Sequence, residues 1–399
     1  MAAKCLEDIA RDFCDDVTAY YASILHLGAS DGIFWDPQLN AWIVTRYGSC
    51  RELLTSPNVA RLRASFSSAT DHHTLKELYA SADRILALPT IAQDTEFGHS
   101  VRIRWKDYIS QDQNIDPHSF EIIAENLLDS CAEDQEFDIY NSLLRPYIGF
   151  SIASRLQLDD AQWSEVWPAV ADYVALFDGR LLTAEEVLNS VKAIISSYIY
   201  IFKSVNNTFN GPKTNDRLAS AADYLLVLAA GQESTAYLLG TIFDQTSRAG
   251  VLSDVLADPA SAMDLLIDEA LRFDNPIQLI GRTAIQEFQI GTISVRAGDR
   301  IYLHIGAAHR DPSIYDSPHV FQTNRRRAPL LSFGVGDQRC IGIAHARRTA
   351  ATFLSILGQK CSSVDVNSLR ITRQATTAGR EFKKLPATLS FRRATPLPV

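Results

Sequence analysis

One stretch near the middle of the chain, residues 216–243, does most to limit the possible folds. Within it, Leu225-Leu226-Val227-Leu228-Ala229-Ala230-Gly231 is apolar almost all round. A helix without a polar face must be wrapped by other elements, so this one predicts the centre of a large, mainly helical domain. The run is too short and too interrupted to read as a bilayer span. Helical periodicity also marks 120–131, 139–156, 161–177 and 184–202, and it returns after Cys340. Short β-like runs group elsewhere. A hairpin is expected near 31–46, strands with turns at Gly291 and Gly298 within 277–305, and a second hairpin over 369–391. The expected class is mainly α with a small β region. No repeat, low-complexity tract or long linker divides residues 1–399, so a single domain is predicted.

Charge and cysteine usage exclude several functions. The net charge of −9 argues against nucleic-acid binding, which needs a basic face. Cys5, Cys14, Cys50, Cys131, Cys340 and Cys361 show no CxxC pair and no zinc-like spacing, as expected for a reducing compartment. Charged residues from Lys4 to Asp16 are incompatible with a signal peptide or membrane anchor, so a cytoplasmic location is expected, without a membrane partner.

Chemistry concentrates in Phe333-Gly334-Val335-Gly336-Asp337-Gln338-Arg339-Cys340-Ile341-Gly342. Glycines let the main chain turn tightly and let a flat ligand approach closely. The loop delivers one cysteine to the start of an amphipathic helix, where backbone N–H groups favour a thiolate able to hold a metal. A lone cysteine is more often a small buried hydrophobe, so the loop is informative only together with the rest of the chain.

The pattern of aromatic, glycines and cysteine resembles the haem-ligand loop of the cytochrome P450 family, which holds haem iron through a cysteine thiolate. That resemblance implies a single triangular haem domain, haem b (iron protoporphyrin IX) as cofactor, and Cys340 as the iron ligand. Phe333, Gly334, Gly336, Arg339 and Gly342 would cradle the group. Gly231-Gln232-Glu233-Ser234-Thr235 is similar to the family's oxygen-binding segment, with serine where threonine is usual. The similarity implies a proton relay through Glu233 and Ser234, with Thr235 sharing it or simply packing, and contact between Ala230 and the cofactor. Glu269 and Arg272, at i and i+3, match the family's structural pair. Arg282 matches the arginine that binds a haem propionate.

His99, with Arg102 or Arg104, matches the family's His-x-x-x-Arg helix only partly, because position 103 is isoleucine. Leu330 and Gln338 stand where histidine or arginine is common, so haem anchoring should be less redundant than usual. Arg325-Arg326-Arg327 reads as a docking face for an acidic redox partner or as a solvated charge run. Ala308-His309-Arg310-Asp311-Pro312 reads as a packed turn. By the same analogy the substrate pocket would draw on Leu226, Ala229, Ala230, Ile277, Leu279 and Ile280, on parts of 81–98 and 375–379, and on the segment near 177–184.

The resemblance therefore implies a monooxygenase that activates O2 to oxidise, most simply to hydroxylate, a small or medium organic molecule of secondary metabolism. Electrons would come from a ferredoxin and its NAD(P)H-dependent reductase. Oxidative coupling and a non-enzymatic haem sensor are the alternatives the sequence leaves open.

Overall fold

The computed structural model describes residues 5–28, 30–62, 73–110, 118–175, 183–204, 211–258, 263–325 and 329–392. The helices are α1 (Leu6–Phe13), α2 (Val17–Leu27), α3 (Tyr47–Thr55), α4 (His73–Ala87), α5 (Glu96–Ser110), α6 (Ser119–Asp129) and α7 (Arg145–Arg155). They continue with α8 (Asp160–Ala175), α9 (Ala184–Ser204), α10 (Arg217–Arg248), α11 (Leu252–Ala257), α12 (Met263–Phe273), α13 (Ile305–Ala308) and α14 (Ile343–Lys360). The first strands are β1 (Ile33–Asp36), β2 (Ala41–Val44), β3 (Val59–Arg61), β4 (Glu136–Asp138), β5 (Leu279–Ala284) and β6 (Phe288–Ile290). The remaining strands are β7 (Ile293–Val295), β8 (Arg300–His304), β9 (Cys361–Val366), β10 (Thr372–Arg373), β11 (Phe382–Lys384) and β12 (Pro386–Phe391).

The apolar stretch forms α10, a helix of 32 residues, about 48 Å long at 1.5 Å per residue. Asp216 caps its start by accepting N–H bonds from Leu218 (2.8 Å) and Ala219 (3.3 Å), which satisfies two amides that have no partner within the helix. By length and composition α10 could cross a membrane, yet most of that apolar window is buried in the protein. It packs against α7, α8, α9, α12 and α14, and Leu228, Leu239, Ile242 and Phe243 lie in the main hydrophobic cluster.

The predicted first hairpin is β1–β2, with Trp35 and Trp42 paired edge-to-face at 5.1 Å. Asp36 closes its turn, accepting from the amides of Gln38 and Leu39 at 3.0 Å each. The hairpin joins a five-stranded sheet in the order β1-β2-β8-β5-β3. In it β2 and β8 run parallel and the other pairs antiparallel.

The C-terminal prediction needs correction. Only β10 and β11 form a small hairpin; β12 pairs instead with β4 and β9. Those partners lie far off in sequence, and local alternation cannot name them. Helix 139–156 also differs, opening with a π turn, Tyr140–Leu144, before α7.

Candidate cofactor and substrate site

Between its two ends α10 is buried except at Leu226, Val227, Ala230, Gly231 and Ser234, which stay accessible. Their spacing places them on one face of the helix. Small and apolar side chains on that face leave room for a flat ligand. Ala229 and Thr235, expected at the site, are turned into the core. Ser234 Oγ donates to the Ala230 carbonyl at 2.8 Å, a bond that bends helices locally.

Glu233 points elsewhere. Its carboxylate accepts from Arg145 Nε (3.0 Å) and Nη2 (2.6 Å), from Gln232 Nε2 (3.1 Å) and from Tyr140 Oη (3.4 Å). Both outer partners come from the π turn and the start of α7, and neither the charge pattern nor the periodicity indicates this pairing. Glu233 and Ser234 share no hydrogen bond, so a relay between them would require water or movement of the Arg145 pair.

The cysteine loop behaves as its glycines require: Gly334 and Gly336 adopt φ of 68° and 70°, where an L side chain would be strained. The Cys340 amide donates to Phe333 O at 2.7 Å, and the Gly342 amide donates to Cys340 Sγ at 3.3 Å. Cys340 is exposed while Phe333 and Ile341 pack on the same cluster as α10. Although its surface is accessible, desolvation by the protein atoms around it pushes the Cys340 thiol up; the Gly342 N–H and the charges of Arg102 and Arg339 oppose that shift.

Three guanidinium groups gather beside this loop. Arg102 on α5 donates to the carbonyls of Gln338 (3.0 Å) and Arg339 (2.6 Å), and to Ile91 O at 2.9 Å. Arg282 on β5 and Arg61 on β3 are directly opposed across the ladder. Arg61 donates to Ala92 O at 2.7 Å and to the Gln338 side chain, and lies 3.6 Å from Asp94. Among the described residues, Arg282 finds only the carbonyls of Gly281 (3.0 Å) and Leu54 (3.4 Å). Burial lowers the pKa of all three arginines, and the Arg61 charge lowers those of Arg102 and Arg282 further.

Like charges directly opposed on a sheet repel, and a buried guanidinium needs an anion. The arrangement thus fits a ligand with a flat body and an anionic edge. Haem, whose propionates are carboxylates, meets both requirements.

His99 faces the same group, its Nε2 3.5 Å from Gln338 Nε2. Arg104 does not: it is exposed and donates to Lys213 O at 3.1 Å, because two helical positions on from Arg102 lies the opposite face. Arg61 is absent from the sequence reading. A three-residue strand has no usable period, and only register reveals its partner.

On α12, Glu269 and Arg272 form a buried pair, with Arg272 Nε 2.7 Å from Glu269 Oε2. Arg325 joins it at 2.9 Å, so this arginine belongs to neither a docking face nor a solvated run. Arg326 and Arg327 lie outside the described residues, as does 176–182, part of the expected pocket wall. His309, Arg310 and Asp311 form the expected packed turn and are all buried.

Of the other expected pocket residues, Ile277 is exposed and bridges Gly379, and Ile280 is half-buried. Leu279 is corrected: it packs into the cluster built by α1 and α2, since alternation on β5 sends neighbouring side chains to opposite faces.

Comparison with known proteins agrees with this geometry. A family model described as cytochrome P450 matches residues 261–369. The polyketide biosynthesis cytochrome P450 PksS of Bacillus subtilis (strain 168) is 27% identical over 327 residues, covering 77% of this chain and 78% of the relative. Pulcherriminic acid synthase of the same organism is 24% identical over 374 residues, covering 86% and 88%. Among solved structures, CalO2 superposes with a TM-score of 0.80 at 20% identity, over 98% of this chain and 99% of that one. P450BioI, solved in complex with a fatty-acyl-ligated acyl carrier protein, gives 0.78 at 21% identity, over 96% and 100%. Over residues 261–369 the chain matches the cytochrome P450 family, the haem-thiolate monooxygenases of the oxidoreductase class, and nearly its whole length has the fold of solved cytochromes P450.

Proposed function

We propose that this chain is a cytoplasmic haem b monooxygenase that hydroxylates a small or medium organic molecule of secondary metabolism. The carrying observation is the convergence of Arg61 and Arg102 on the loop that presents Cys340, with Arg282 directly opposite Arg61 on the neighbouring strand. Cys340 would supply sulfur to the iron, and the three arginines, with His99, would hold the propionate edge. When bound, the haem supplies the oxidising chemistry, including cleavage of the O–O bond.

The protein's own residues do the rest. Leu226, Val227 and Ala230 offer an apolar wall against which a substrate can be oriented and water excluded. Ser234 Oγ holds its proton on the Ala230 carbonyl and can turn it into the site. Glu233, held by Arg145 at the protein side of the same helix, can exchange protons with that region when the pair loosens. Electrons would reach the site from separate proteins, a ferredoxin and its NAD(P)H-dependent reductase.

The test is spectroscopic. The purified, haem-loaded protein should give the thiolate-type red shift of the reduced carbon monoxide complex, and Cys340→Ala should abolish it. Retention of that shift in Cys340→Ala would rule out the assignment. Screening organic compounds for a spin-state change would then identify the substrate, and turnover under heavy dioxygen would separate oxygen insertion from oxidative coupling.

A further inference from the structure

A carboxyl group that the proposed chemistry does not use sits on the same helix. Asp223 lies seven residues before Ala230, two turns along α10 and within about 20° of the same direction. It therefore continues the face that opens on the site. It is 1% exposed. The Ile91 amide donates to its Oδ1 at 3.0 Å, and its Oδ2 has no hydrogen-bond partner among the described residues. The acceptor of that amide bond thus comes from the central helix, and the donor from the short turn Thr90–Ala92.

The carbonyls of the same turn face the other way. Ile91 O accepts from Arg102 (2.9 Å) and Ala92 O accepts from Arg61 (2.7 Å). Behind it, α5 presses close: a Cβ on Gly98 would come within 2.5 Å of Gln93 O and 2.9 Å of Thr90 O. The turn is a connector, with the Ile91 N–H on α10 and the C=O groups of Ile91 and Ala92 on two arginines of the cofactor site.

We infer that Asp223 is a positioning residue, fastening the 90–92 turn to α10 and through it orienting Arg61 and Arg102 toward the anionic edge of the cofactor. The inference rests on the proposed function only for what the arginines hold; the fastening itself is independent of it.

The arrangement has a pH signature that a merely space-filling residue would lack. Thr90, Ile91 and Ala92 carry no titratable side chain. Among the described residues, the charge whose field reaches Asp223 is Arg104 on α5, which favours ionisation. Burial outweighs it and the turn's amides, raising the carboxyl to about 7. With the turn closed the neutral form is therefore preferred; with it open the carboxyl is solvated and has its ordinary acidity. The sign follows: a raised carboxyl loses its closed-state preference as pH rises. The opening equilibrium should grow about tenfold between pH 6 and pH 8 and then level off.

The experiment is hydrogen exchange at the amides of 88–95, corrected for intrinsic rates, on haem-free and haem-loaded protein. In the wild type, protection of the Ile91 amide should fall about tenfold from pH 6 to pH 8. Asp223→Asn keeps an uncharged acceptor oxygen and should hold protection flat over that range. Asp223→Leu should lose it at both pH values and release haem to excess apomyoglobin severalfold faster. A flat wild-type profile, or full protection in Asp223→Leu, would overturn the fastening role. Lost protection with unchanged haem release would overturn the link to Arg61 and Arg102. Failure of every form to take up haem would instead refute the proposed function, leaving the exchange result to decide the fastening.

Discussion

Replacing Glu269 by glutamine tests how the cysteine loop is supported. The carboxylate accepts four bonds: from Arg272 Nε (2.7 Å) and Nη2 (2.8 Å), from the Gln322 amide (2.8 Å) and from Arg325 Nε (2.9 Å). Glu269 and Arg272 are 2% and 1% exposed. An isosteric neutral amide removes the one negative charge facing two guanidinium groups and turns an acceptor oxygen into a donor. Breaking a buried pair from one side costs about 3–5 kcal/mol, because the surviving charge is left uncompensated. At about 2.1 cal/mol/K of unfolding entropy per residue, this chain has about 0.84 kcal/mol/K, so Tm should drop by about 4–6 °C. Arg272 also holds the carbonyls of His309, Pro318 and Val320, so the segment leading into the Cys340 loop should become sensitive to limited proteolysis. Calorimetry of the haem-loaded protein at pH 7 is the assay. Arg370→Ala, at a pair 58% and 33% exposed with Glu136, is the control and should shift Tm by about 1 °C or less. A Glu269→Gln shift no larger than the control would refute the reasoning.

Other substitutions probe the site itself. Arg61→Gln should speed haem loss about tenfold to a hundredfold, the equivalent of one charge-assisted hydrogen bond. The haem-free chain should be no less stable, since the repulsion with Arg282 is relieved; parallel losses in both forms would contradict the anion-binding role. Ser234→Ala should leave the carbon monoxide spectrum intact and lower product formed per NAD(P)H by about an order of magnitude, with peroxide making up the difference. An unchanged yield would remove Ser234 from the proton path. Arg145→Met strands Glu233 without its cation and should cost about 3–5 kcal/mol in a thermal or urea melt. A shift within the error of the melt would mean that water already replaces the pair.

What the amino-acid sequence decided alone is local. The all-round apolar run of α10 required burial, the glycines around Cys340 required a turn that other residues cannot make, and the β1–β2 alternation required a hairpin. Glu269 and Arg272 are one helical turn apart, so their pairing also followed from spacing. Each of these is set by contacts between near neighbours, and periodicity records such contacts directly. The tertiary structure decided which distant groups share a charge. Arg325 joins Glu269 across 56 residues, Arg145 holds Glu233 across 88, and Asp223 meets the 90–92 turn across 132. Arg61 faces Arg282 only because β3 and β5 align in one register. β12 likewise left its expected hairpin for β4 and β9. A buried charge takes whichever partner packing brings within reach, and packing is a property of the whole chain.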